Sequence, residues 1–78
     1  VNVERRLGPS PRERGCAGGG GCPDLFELAD GNFAVIGAEA TAALIGSLPA
    51  DAGVGGNERI VVIPRELLVR AKAEIPDL

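Results

Sequence analysis

The sequence has no histidine, methionine, tryptophan or tyrosine, and Phe26 and Phe33 are its only aromatic residues. Without histidine there is no Ser-His-Asp or Cys-His pair, no imidazole base and no imidazole metal ligand. Two rings are too few for the stacking platforms that hold nucleic-acid bases. Positive charge is also short: eight Lys plus Arg face eleven Asp plus Glu, for a formal charge of −3. That balance opposes general binding to nucleic acid or anionic membranes. No stretch approaches the roughly 18–20 apolar residues that cross a bilayer as a helix. Arginines and prolines stand where the apolar region of a secretory signal would lie, so a cytoplasmic protein is expected.

The 78 residues suffice for one small domain. A core of that size supplies only a few kcal/mol, which makes a staple or a partner subunit a reasonable expectation. Charge is split along the chain. Residues 1–15 carry +2 and residues 16–78 carry −5. The basic segment includes Gly8-Pro9-Ser10-Pro11, which disfavours regular helix. Gly15-Cys16-Ala17-Gly18-Gly19-Gly20-Gly21-Cys22-Pro23 follows, and its glycines lose much backbone entropy on ordering. Residues 1–22 therefore read as a flexible arm, with at most one ordered contact from Val1, Val3 or Leu7, and residues 23–78 as the folded unit.

In that unit, Leu25-Phe26-Glu27-Leu28 and Phe33-Ala34-Val35-Ile36 flank Asp30-Gly31, a strong hairpin signal. Ala38 to Ile45 is rich in helix formers, with Gly46 as a stop. A glycine-rich loop leads to Glu58-Arg59-Ile60-Val61-Val62-Ile63, whose β-branched run predicts a strand covered on both faces. Pro64 suits the first turn of a helix. That helix runs to Ala73, with Leu68, Ala71 and Ile75 on one face. The expected fold is a small single α+β domain, strand-strand-helix-strand-helix, behind a flexible N-terminal arm.

Few residues offer chemistry. Cys16 and Cys22 supply two thiolates where structural zinc takes four ligands. The glycine-rich loop can bend to join them as a redox or disulfide pair; otherwise Cys16 is a loose thiol and Cys22 packs where the first strand starts. The glycine run lacks the Gly-Lys-Ser/Thr ending and following helix of a phosphate loop, and reads as a hinge. Asp24, Glu27, Asp30, Glu39, Asp51 and Glu58 are placed at turns or on exposed faces, with no cleft to shift them. Ser10, Thr41 and Ser47 have no imidazole to activate them. No catalytic, cofactor-binding or metal-binding residue is assigned, no cofactor or small-molecule substrate is inferred, and an enzyme is not expected.

Arg59-Ile60-Val61-Val62-Ile63-Pro64-Arg65-Glu66-Leu67-Leu68 resembles the strand-Pro-helix segment of AbrB-type swapped-hairpin regulators, antitoxins among them. Those regulators continue into a second Gly-Asp hairpin, which the sequence through Leu78 does not contain. A broader likeness joins Cys16, Cys22-Pro23-Asp24, Phe26-Glu27-Leu28, Phe33-Ala34-Val35-Ile36-Gly37, Val61-Val62-Ile63-Pro64 and Leu67-Leu68. This pattern resembles a group of small uncharacterised actinobacterial proteins with a Cys-Pro before a hairpin and a Val/Ile-Pro before a terminal helix. Genes of that group often neighbour helix-turn-helix regulators, which implies an accessory role beside a transcriptional regulator. The leading expectation is a non-catalytic protein-interaction module, bound to a protein partner or to itself as a homo-oligomer. Its interface is expected at Ile60, Val61, Val62, Ile63, Leu67 and Leu68. The alternatives are an AbrB-like DNA-associated regulator or antitoxin, and a thiol-based redox or metal sensor through Cys16 and Cys22.

Overall fold

The structure, a computed structural model, describes residues 1–16 and 20–77. It is the expected small α+β domain, with two strands more than the sequence predicts. Strand β1 (Val3–Arg6) pairs antiparallel with β2 (Asp24–Leu28), which pairs antiparallel with β3 (Phe33–Ile36). The sheet order is β1-β2-β3. A second, two-stranded ribbon joins β4 (Ala38–Glu39) to β5 (Val61–Val62). Helix α1 (Thr41–Leu44) and its 3-10 extension Ile45–Ser47 follow β4, and helix α2 (Arg65–Ala71) with its extension Lys72–Glu74 follows β5.

The hairpin forms where Asp30-Gly31 predicts it. Gly31 has φ +89°, and its N–H donates to the Leu28 carbonyl at 3.0 Å. The Asp30 carboxylate accepts from the Asn32 N–H at 3.0 Å, closing the turn.

The N-terminal arm is corrected. Residues 3–6 are a sheet strand, and Leu7 is fully buried, with its N–H donating to the Leu25 carbonyl at 2.9 Å. Two arginines of the arm find partners across the sheet: Arg5 meets Glu27 and Arg6 meets Asp24. Beyond Leu7 the chain turns over residues 11–15, where the Ser10 N–H donates to Glu13 at 2.7 Å and the Glu13 N–H to the Ser10 hydroxyl at 3.3 Å. Of the glycine run read as a hinge, Gly18 and Gly19 lie outside the described residues. Gly20 and Gly21 have φ +118° and +78°.

The core is Leu7, Leu25, Leu67 and Ala71, with Ile63 packed against it. Helix α2 thus buries the i, i+4 pair Leu67 and Ala71. The expected face was Leu68, Ala71 and Ile75, but Leu68 and Ile75 are exposed. The backbone tightens to 3-10 at Lys72–Glu74, so the α-helical spacing that would align Ile75 no longer holds. Gly8 takes part in the packing. Its φ is +75°, and a β-carbon there would touch Ala71 Cα at 3.4 Å.

The expected helix from Ala38 begins only at Thr41, because Ala38 and Glu39 pair with Val62 and Val61. The expected strand over residues 58–63 shrinks to two residues for the same reason. Its partner turns into α1, so the Ile60 N–H donates instead to the Thr41 hydroxyl at 2.8 Å.

Candidate interaction surface

β3 and β4 are one run of chain serving two sheets, with Gly37 at the changeover. Residues 33–36 pair with β2, and residues 38–39 pair with β5. The two-sheet junction leaves a cleft of about 120 Å³, lined by Cys22, Pro23, Ile36, Gly37, Ala38 and Val62. Pockets for metabolite-sized ligands run to about 300–1,000 Å³. This cleft has room for one aliphatic side chain.

Apolar side chains are exposed on both faces of the sheet beside it. Alternation along β2 sends Leu25 and Glu27 to the core side and Asp24 and Phe26 to the opposite side. Ile36, paired with Asp24, stands on that outer face and is 51% exposed. Phe33 and Val35 lie on the core side but are also exposed. Helix α2, about 10 Å long at its seven residues, packs on Leu25 and Leu7 and leaves Phe33 and Val35 exposed.

The residues expected to form an interface are divided. Leu67 belongs to the core at 0% exposure, so it is removed from any interface. Ile60 and Ile63 are half-buried. Val61, Val62 and Leu68 are exposed, which corrects the expectation of a strand covered on both faces. Val62 alone of the six lines the cleft. Ile36 and Gly37 were missed as surface features, although a glycine closing a β-branched run is itself a signal of close backbone approach.

Cys16 and Cys22 are joined as a disulfide with their α-carbons 6.4 Å apart, inside the range that disulfides span. The reading of two unpaired thiols is thereby corrected, although Cys22 does pack, 9% exposed, just before β2. The disulfide ties down Cys22, which with Pro23 forms one wall of the cleft. Arg14 secures the same connection from both sides, its guanidinium donating to the carbonyls of Pro9 and Pro23.

Arg5, Arg6, Asp24 and Glu27 are committed to holding the fold. Asp24, expected on an exposed face, is 5% exposed. Arg6 donates to both its oxygens at 3.0 Å. The guanidinium also lies 5.3 Å above the Phe26 ring. Hydrogen bonding to Asp24 holds the Arg6 pKa above its ordinary value. Arg5 donates to Glu27 at 2.9 Å and to the Glu74 carbonyl at 2.7 Å, clasping the C-terminal turn to β1. Among the described residues, no three or more Cys, Asp or Glu side chains are grouped to hold a metal, and no helix is long and apolar enough to cross a membrane.

Among the described residues, twelve large apolar side chains are exposed against the four residues of the core cluster. The accessible surface is 5671 Å², whereas a compact monomer of 7.9 kDa exposes about 4,400 Å². The radius of gyration, 13.9 Å, likewise exceeds the roughly 11.5 Å of a compact chain this long. Compared with known proteins, the chain matches no family model, no curated protein and no solved structure.

Proposed function

We propose that this chain is a non-catalytic protein-interaction module that docks through the apolar surface of β3, β5 and the cleft between them. The observation that carries this reading is the imbalance, among the described residues, between a four-residue core and twelve exposed large apolar side chains. Of these, Phe33, Val35, Ile36, Val61 and Val62 belong to β3 and β5, and apolar surface gathered in one region marks protein contact sites. The cleft favours a side-chain anchor over a metabolite. Arg5 and Arg6 are bound to carboxylates, which leaves them poorly placed to meet phosphates. The interaction module is therefore preferred to the DNA-associated reading. A transcriptional regulator is one class of partner, on the likeness drawn above. A cytoplasmic setting would keep Cys16 and Cys22 reduced for much of the time.

The test compares capture by the wild type and by Ile36→Lys/Val62→Lys in lysate of the native host, with circular dichroism to confirm that both fold. The reading expects proteins held by the wild type and released by the variant. Identical capture profiles from two folded proteins would falsify it.

A further inference from the structure

The proposed role does not say what covers the apolar surface. Resting on that role, we propose that the occupant is a second copy of this chain, whose β3 pairs antiparallel with β3 of the first across a two-fold axis. The resulting sheet has six strands, in the order β1-β2-β3-β3-β2-β1.

Strand β3 is one edge of the sheet. Natural edges are protected by charge, proline, bulges or very short strands. The other edge has such protection: β1 carries Glu4, Arg5 and Arg6 and a register break between Val3 and Arg5. Phe33-Ala34-Val35-Ile36 has no charge and no proline, and its register with β2 is unbroken. It is a template for another strand.

The chemistry of the patch favours an identical partner. A two-fold contact places each residue near the axis against its own copy, so a charge there would face itself. Residues 33–38 and 60–63 contain no Asp, Glu, Lys or Arg. Ile36, 51% exposed at the end of the strand, gains cover from such pairing. Antiparallel pairing is the arrangement that a two-fold axis imposes on two copies of one strand crossing it in a common sheet.

The area is sufficient. The chain exposes about 1,300 Å² more than a compact monomer of its mass. A standard interface buries about 800 Å² on each partner, which would remove more than half of the surplus. No residue from 37 to 66 is buried, so this stretch, β5 included, has most to gain from a neighbour.

Sedimentation equilibrium of the full chain over a wide concentration range, with amide hydrogen exchange at both extremes, tests this. The expected result is a species of twice the chain mass, with exchange at residues 33–36 slowing as concentration rises while residues 3–6 are unaffected. Ile36→Lys, checked for folding by circular dichroism, raises the dissociation constant at least about tenfold, equivalent to 1.4 kcal/mol. The exchange measurement needs no variant, so the test survives a variant that fails to fold. A dimer whose β3 amides exchange at one rate at all concentrations overturns the β3 assignment. A monomer throughout, binding an apolar dye that Val62→Lys releases, overturns the second copy and leaves the interaction role standing. A monomer that binds no dye overturns both.

Discussion

Gly37 and Val62 are in such close backbone contact that a β-carbon on Gly37 would stand 2.7 Å from the Val62 carbonyl oxygen and 2.9 Å from Ile63 Cγ2. The constraint is steric rather than conformational, because Gly37 is not among the positive-φ glycines. The nearest obstacle is backbone and cannot swing aside. Gly37→Ala therefore forces β4 and β5 apart and should cost about 1–3 kcal/mol, the range for overpacked sites. Gly46→Ala is the control, since a β-carbon there meets nothing within 4 Å; its effect should stay within about 0.5 kcal/mol. Urea unfolding of both variants decides the matter, and equal midpoints would refute the close contact.

Leu7 links β1 to helix α2 and, with Leu67, is one of two large side chains among the described residues with no exposed surface. Leu7→Ala should cost about 2–5 kcal/mol, as for other buried leucines. That loss rivals the whole stability of a domain this small, so much of the population should be unfolded by circular dichroism at room temperature. Val1→Ala, at an exposed position, should be silent. A well-folded Leu7→Ala protein would mean that residues 1–7 behave as the loose arm their composition suggests.

The hairpin was legible because its signal is local: Asp30 and Gly31 create the turn within five residues of each strand. β1 was not legible. Its partner lies beyond a loop rich in glycine and proline, and Arg5 and Arg6 look solvated until Glu27 and Asp24 are placed opposite them. The helix after Pro64 was found but misphased by one residue, since nothing local says that Gly8 and Leu7 will lie against Ala71. The site divides in the same way. Val61 and Val62 stood out as a β-branched run, while the cleft depends on Gly37 meeting a segment more than twenty residues away.

Arg6 and Asp24 form a pair in which one member is nearly enclosed. Removing the cation alone leaves a shielded carboxylate with little beyond the Leu25 N–H to hold it. Removing both groups relieves that burden. Arg6→Leu should therefore be less stable than the double variant Arg6→Leu/Asp24→Leu in urea titration. The reverse order would show that water reaches Asp24 and solvates it without the arginine.

Reduction of Cys16–Cys22 reopens a loop of seven residues, counted from its sequence separation of 6. Loop-closure entropy for that length corresponds to about 2 kcal/mol. The wild type should lose that much stability in excess reductant, whereas Cys16→Ser/Cys22→Ser should start lower and show no response. If the wild-type midpoint is the same with and without reductant, the disulfide contributes no stability.

Two exposed carboxylates give a signature in acid. The Thr41 hydroxyl and N–H hold the Glu39 pKa below the ordinary glutamate value, and the Ser10 N–H and hydroxyl do the same for Glu13. A pKa lower in the folded than in the unfolded chain means that the unfolded state takes up protons first as pH falls. The stabilisation is thus complete above the ordinary glutamate value and is lost as pH drops through the lower, folded one. Glu13→Gln/Glu39→Gln should have a lower melting temperature than the wild type at neutral pH. The gap should close as the solution is acidified through the carboxylate range, because protonated wild type and variant then make comparable contacts. Melting curves that stay parallel from neutral to acid pH would show that neither carboxylate gains its hydrogen bonds on folding.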